Sequence, residues 1–173
     1  MSEASAKKRL MYVSGEDFYI YCYSVFVILD SLGCRDGKYF RDYRKLAFLT
    51  DIISDDKKVY VISHSSGGKL NPKDYECLLD SYSNGLTLRS ELLKLLFVLE
   101  KRCYVSLNRG KAQEINVTLT KGNLPNDFFN NDFFESESRN IKNISKKVGR
   151  LALLTLGAML NKIYVDNGVR TWV

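Results

Sequence analysis

The 173-residue chain holds one histidine, His64, in the stretch "HSSGGKL". A Ser–His–Asp arrangement therefore has a single place to form, and no nucleophile turn lies nearby. Zinc held by one histidine and scattered cysteines is excluded on the same ground. The four cysteines, Cys22, Cys34, Cys77 and Cys103, form no C-x-x-C pair. Cys22, Cys77 and Cys103 stand among apolar residues, where a free thiol packs as a small hydrophobe. That usage predicts a reducing setting without disulfides or a thiolate metal site, hence a cytoplasmic protein. A phosphate loop is missing too, because "HSSGGK" lacks the G-x-x-x-x-G-K-[ST] spacing and Leu70 follows Lys69. The adjacent acids Asp55 and Asp56, and the near pair Glu135 and Glu137, have no accompanying metal-ligand set. The apolar stretch Phe18–Leu32 is interrupted by Ser24 and Asp30 and is too short for a membrane span. No small-residue cleavage site follows it. These absences point to a protein that is not an enzyme, with no cofactor, no small-molecule substrate and no membrane partner.

Charge is present but spread. The net charge is +6. Residues 1–70 carry 11 basic and 9 acidic groups, residues 71–123 carry 8 and 6, and residues 124–173 carry 7 and 5, so each third is +2. Such a chain has no basic arm, and any phosphate contact is local.

The pattern along the chain predicts a mainly α protein with a small β-hairpin. Residues 1–15 form a polar tail. Residues 16–70 form an N-terminal helical region. In it "EDFYIYCYSVFVILDSLGC" makes one buried helix stopped by Gly33, and "GKYFRDYRKLAFLTDIISD" makes an amphipathic helix with Tyr39, Tyr43, Leu46, Phe48, Leu49, Ile52 and Ile53 at three- and four-residue steps. "KKVYVIS" suits a short helix or a strand. Residues 71–123 form a second unit. Asn71 caps a helix with Pro72 at its first position. "SNG" makes a turn at Gly85, Thr87 restarts a helix, and "YVSLN" and "QEINVTL" alternate as two strands joined by "NRGK" with its turn glycine. Helix, turn, helix and hairpin are the order of a winged helix. Residues 124–173 pack on the same domain. They open with "NDFFNNDFF", whose four phenylalanines clamp the domain or dock on a partner, and continue as one long helix with Ile141, Ile144, Val148, Leu151, Leu154 and Leu160 on its apolar side.

A winged helix that reads bases shows polar side chains from its second helix to the major groove. Here that helix holds Leu88, Leu92, Leu93, Leu95, Leu96, Phe97, Val98 and Leu99. Its most polar row is Ser90, Lys94, Phe97 and Lys101, and a phenylalanine breaks it. A helix apolar on most sides is buried, often by a partner. The expected partner contacts are Phe97, Phe128, Phe129, Phe133, Phe134 and Trp172. The expected phosphate contacts are Arg109 and Lys111 at the hairpin tip, and Lys142, Lys146 and Lys147 from a basic run that also holds Arg139 and Arg150.

Four stretches also resemble a known family. "YFRDYRKLAFLTDII", "ELLKLLFVLEKRCYVSL", "LPNDFFNNDFFESESRNIKNI" and "LNKIYVDNGVRTW" stand in the order found in the middle-component proteins of bacterial ABC-three-component systems. These include the small subunit of Lamassu-type anti-phage defence. The likeness spans roughly Lys38 to Trp172, and none of its segments is a catalytic signature. It implies a cytoplasmic adaptor that sits with a large SMC-like ABC ATPase and an effector such as a nuclease. DNA would then be met through the complex. The alternative is a stand-alone winged-helix regulator of transcription, which needs the polar recognition face that this sequence lacks.

Overall fold

The computed structural model describes residues 17–130 and 132–172, and the expected N-terminal tail lies outside them. Helix α1 (Asp17–Ser31) forms as the apolar stretch predicts. Val25, Phe26, Val27, Ile28 and Leu29 are all buried, so the middle of this helix is enclosed on every side. Gly33 ends it at φ +71°, and the Cys34 N–H donates back to the Leu29 carbonyl at 2.8 Å.

The next segment departs from expectation. Tyr39 and Tyr43 precede the second helix instead of lying on it, because Asp36, Gly37 and Asp42 take positive φ and keep the chain out of the helical region. The segment runs beside the hairpin. Phe40 and Val117 exchange backbone hydrogen bonds of 2.7 and 2.9 Å, and the Tyr43 N–H donates to the Ile115 carbonyl. A short third edge is thereby added to the two-stranded sheet.

Helix α2 (Arg44–Ile53) is buried from Lys45 to Ile53 and forms the centre of the molecule. Helix α3 (Asp56–His64) resolves the ambiguous "KKVYVIS"; the Asp55 carboxylate caps it by accepting from the Lys57 N–H. Helix α4 (Pro72–Lys101) begins as its residues dictate, with the Asn71 side chain accepting from Asp74 N–H and Pro72 in the first turn. It then runs unbroken for 30 residues. The turn expected at Gly85 does not form, and Thr87 is an interior residue whose hydroxyl donates to the Ser83 carbonyl. Gly85 has a different task. A Cβ placed there would lie 2.2 Å from Cδ1 of Phe48, so its lack of a side chain lets α4 and α2 approach closely.

Strands β1 (Val105–Arg109) and β2 (Ile115–Leu119) form the expected antiparallel hairpin, with Val105 opposite Leu119 and Arg109 opposite Ile115. Its positive φ falls on Ala112 and not on Gly110. Cys103 also differs from expectation, being exposed at positive φ just past the end of α4, whereas Cys34 is buried. The long C-terminal helix is two helices. Helix α5 (Glu135–Val148) stops at Gly149, and helix α6 (Leu156–Ile163) starts after the Thr155 cap. Gly149 and Arg150 both have positive φ, which turns the chain out of the helix. The freed Leu151 carbonyl accepts from Lys45 Nζ at 2.7 Å.

Among the described residues, all six helices and both strands contribute to one core cluster. The molecule is mainly helical with a two-stranded antiparallel sheet. No helix among the described residues is long and apolar enough to cross a membrane.

Candidate partner-binding and phosphate-contacting surfaces

The duplicated aromatic segment divides between core and surface. Phe128 meets Tyr23 and Phe26 of α1 at ring-centroid distances of 5.5 and 5.8 Å, Phe129 at 4.9 Å and Phe134 at 5.7 Å. Phe134 also lies against Tyr23. Phe128, Phe129 and Phe134 are half-buried and close on the molecule. Phe133 is 69% exposed, with its ring edge-on to Phe134.

On α4 the fold itself covers Leu92, Leu95, Leu96 and Leu99. No partner is needed to bury that side. The row Ser90, Lys94, Phe97 and Lys101 is exposed throughout, as its spacing predicts. Phe97 is 54% exposed, and its neighbour Val98 is exposed as well. Trp172 is 63% exposed, with its indole edge-on to Tyr82 at 5.2 Å and its backbone held. The Tyr82 hydroxyl donates to the Trp172 carbonyl at 2.6 Å and accepts from the Trp172 N–H at 2.8 Å. Tyr82 is stacked on Phe48 and edge-on to Tyr164. The buried Tyr164 hydroxyl shares a 2.9 Å hydrogen bond with Ser81, and burial pushes its pKa up.

The expected phosphate contacts do not form one surface. Arg109 and Lys111 are exposed at the hairpin. Lys142 and Lys146 are exposed on α5 and line, with Arg139, a cleft of about 580 Å³ beside α1. Asp30, Asp132 and Glu135 also line it, so the cleft is mixed in sign. Lys147 faces elsewhere, its Nζ donating to the Ser65 carbonyl at the end of α3. Arg150 lies beyond the end of α5 and shares no helical face with Lys146. Lys121 pairs with Asp30 at 3.0 Å. His64 is exposed at the end of α3, stacked on Tyr60. Among the described residues, no group of three or more His, Cys, Asp or Glu side chains is placed to hold a metal ion.

One cluster escaped the sequence reading. Arg41 holds Glu114 through Nε and Nη2, with bonds of 2.9 to 3.2 Å. Arg44 holds the buried Asp42 through the same two nitrogens, at 2.7 to 3.2 Å. Arg89 of α4 lies over the Phe48 ring at 6.0 Å. Its Nε and Nη2 are sealed from solvent and have no hydrogen-bond partner among the described residues. Desolvation, and then the Arg44 charge, lower its pKa. The signal for its burial was in the sequence. Leu78, Tyr82, Gly85, Arg89, Leu92, Leu96 and Leu99 follow alternating three- and four-residue steps, so Arg89 interrupts an otherwise inward-facing row.

Compared with family models, with curated proteins and with solved structures, the chain has no match.

Proposed function

We propose that the chain is a non-catalytic adaptor, built around a winged-helix-like core, in a bacterial anti-phage or anti-plasmid defence complex. It links an SMC-like ABC ATPase that senses DNA to an effector such as a nuclease. The carrying observation is Phe97 with Val98, exposed on the helix that leads into the hairpin. A base-reading helix needs hydrogen-bonding side chains there, and exposed apolar groups suit a protein partner. Phe133 and Trp172 add two further exposed aromatic side chains. Over residues 71–123 the unbroken α4 stands in place of the expected helix–turn–helix, so the winged-helix reading rests on a longer stretch. It starts at α1, takes the Phe40 segment as the edge strand paired with β2, and ends with the hairpin. The named partners rest on the resemblance of "YFRDYRKLAFLTDII" and the three later segments. Contact with DNA falls to the complex, assisted by phosphate contacts from Arg109 and Lys111.

The test is co-expression of the tagged chain with its genomic neighbours, followed by pull-down and mass spectrometry. Recovery of an SMC-like ATPase is expected, together with its loss on Phe97→Ser. A protein that emerges alone and gives a specific footprint on duplex DNA would refute the adaptor reading and favour the stand-alone regulator.

A further inference from the structure

Arg41 and Arg44 flank the start of α2 with Arg89 near Arg44, and among the described residues two acids hydrogen-bond these arginines. Arg41 and Arg44 each present the Nε–Nη2 edge to a carboxylate. That edge is the geometry by which a guanidinium grips an oxyanion through two parallel bonds. Glu114 is engaged by Arg41 and Asp42 by Arg44, so neither hydrogen-bonds Arg89, although the Asp42 charge lies near enough to favour its protonated form. The same edge of Arg89 has no acceptor among the described residues. A buried guanidinium edge with no hydrogen-bonded acceptor is costly, so a site of this kind favours an incoming anion. The Arg89 side chain as a whole is only half-buried, so the edge lies just beneath the surface. Binding requires the covering side chains to part.

The hairpin that pairs with this segment carries further cations. Tyr43, next to Arg44, bonds Ile115, and Ile115 pairs with Arg109 across the hairpin. Arg109 and Lys111 are exposed there. A singly charged carboxylate would answer Arg89 alone. A phosphate carries more charge and more acceptor oxygens, and suits a guanidinium flanked by further cations. The geometry points to a phosphate-binding site in which the Nε–Nη2 edge of Arg89 is the principal donor, flanked by Arg44. It would take either free phosphate or a phosphate of a nucleic-acid backbone. This inference rests on the phosphate-contact part of the proposed function and is independent of the protein partners.

The test uses the full chain and inorganic phosphate. Thermal unfolding is followed in phosphate, in sodium acetate and in sodium chloride at matched ionic strength, for the wild type and for Arg89→Met. Phosphate strengthens burial non-specifically in any protein. Each protein's own shift is therefore the readout, and the variant's baseline stability cancels. The wild type should gain about 3–5 °C over chloride at phosphate ten-fold above its Kd, and Arg89→Met should lose that gain. An equal gain in both proteins, no gain in the wild type, or acetate as effective as phosphate would each overturn the site. If Arg89→Met does not fold, the Nε–H resonance of Arg89 in the wild type decides, because phosphate must shift it and chloride must not. A short DNA duplex added in place of phosphate separates the sources. A shift of the same resonance by the duplex assigns the site to backbone phosphate, and a shift by inorganic phosphate alone assigns it to the free ion. The pull-down of an ATPase is unaffected by either result, so this inference and the adaptor reading fail separately.

Discussion

Two aromatic clusters hold the molecule together, and they are built differently. Phe48, Tyr82 and Tyr164 lie fully enclosed where α2, α4 and the C-terminal segment meet. Their polar atoms are matched, Tyr164 to Ser81 and Tyr82 to the Trp172 backbone. Phe128, Phe129 and Phe134 lie half-covered against α1, held by ring contacts without a hydroxyl among them. The first cluster is specified by both shape and hydrogen bonding, and small changes are costly there. The second is specified mainly by apolar area, with Lys121 Nζ 5.2 Å from the Phe129 ring centroid, and tolerates substitution better.

The largest expected difference between the two regions is in their response to pH. Lys45, one helical turn before Phe48, is fully buried. Burial pulls its pKa down to about 7, against the nearby Asp42, which raises it. Between about 7 and its ordinary value of 10.5, the unfolded chain binds the proton and the folded chain does not. The Lys45 contribution to stability therefore rises with pH across that window and is lower below it, by on the order of a few kcal/mol, and above about 9 it is opposed by the buried Cys22 and Cys34 thiols, whose pKa burial raises. Urea unfolding at several pH values should show this slope, and Lys45→Met should flatten it. An unchanged slope in that variant would remove Lys45 as its source.

Shape comes next. Gly85→Val places side-chain atoms in the space of the Phe48 ring and should cost about 3 kcal/mol, read from the urea midpoint. A variant of wild-type stability would mean that α2 and α4 can separate freely. In the half-covered cluster, Phe128→Ala should cost about 2 kcal/mol, less than a fully buried phenylalanine would. A cost above that of Gly85→Val would reverse the ranking of the two regions. Tyr164→Phe strips one hydroxyl from the enclosed cluster and should cost about 1 kcal/mol, because Ser81 loses its partner. Phe133→Ala should change stability by less than about 0.5 kcal/mol, yet weaken capture of the protein partner. Equal effects of Phe128→Ala and Phe133→Ala on stability would erase the distinction between the covered and exposed copies.

That distinction shows where sequence reasoning reached its limit. "NDFF" occurs twice, and nothing within the four letters says that Phe128 is half-buried against α1 while Phe133 is mostly exposed. The difference is set by where each copy arrives relative to Tyr23 and Phe26. Local chemistry was legible elsewhere. Asn71 and Pro72 began a helix, Gly33 ended one, and the alternation of "YVSLN" and "QEINVTL" gave the hairpin. Gly85 misled because a glycine that makes a turn and a glycine that admits a neighbouring ring look alike in one dimension. Gly149 misled in the opposite sense, since the apolar spacing from Ile141 to Leu160 continues across a real break. The arginine cluster was hidden because Arg41, Asp42, Arg44, Arg89 and Glu114 come from three distant stretches. Only the folding of the Phe40 segment along β2 and the packing of α2 on α4 bring them together.

The continuity of α4 through Gly85 has a mechanical meaning. At 1.5 Å per residue, a helix of 30 residues is a rod about 45 Å long. Its C-terminal end runs into the hairpin, and its first turn is locked by the Asn71 cap. A joint at Gly85 would absorb a pull applied at one end. A stiff strut with its one weak residue braced by Phe48 passes the displacement on, so force delivered near Pro72 arrives at the hairpin as movement.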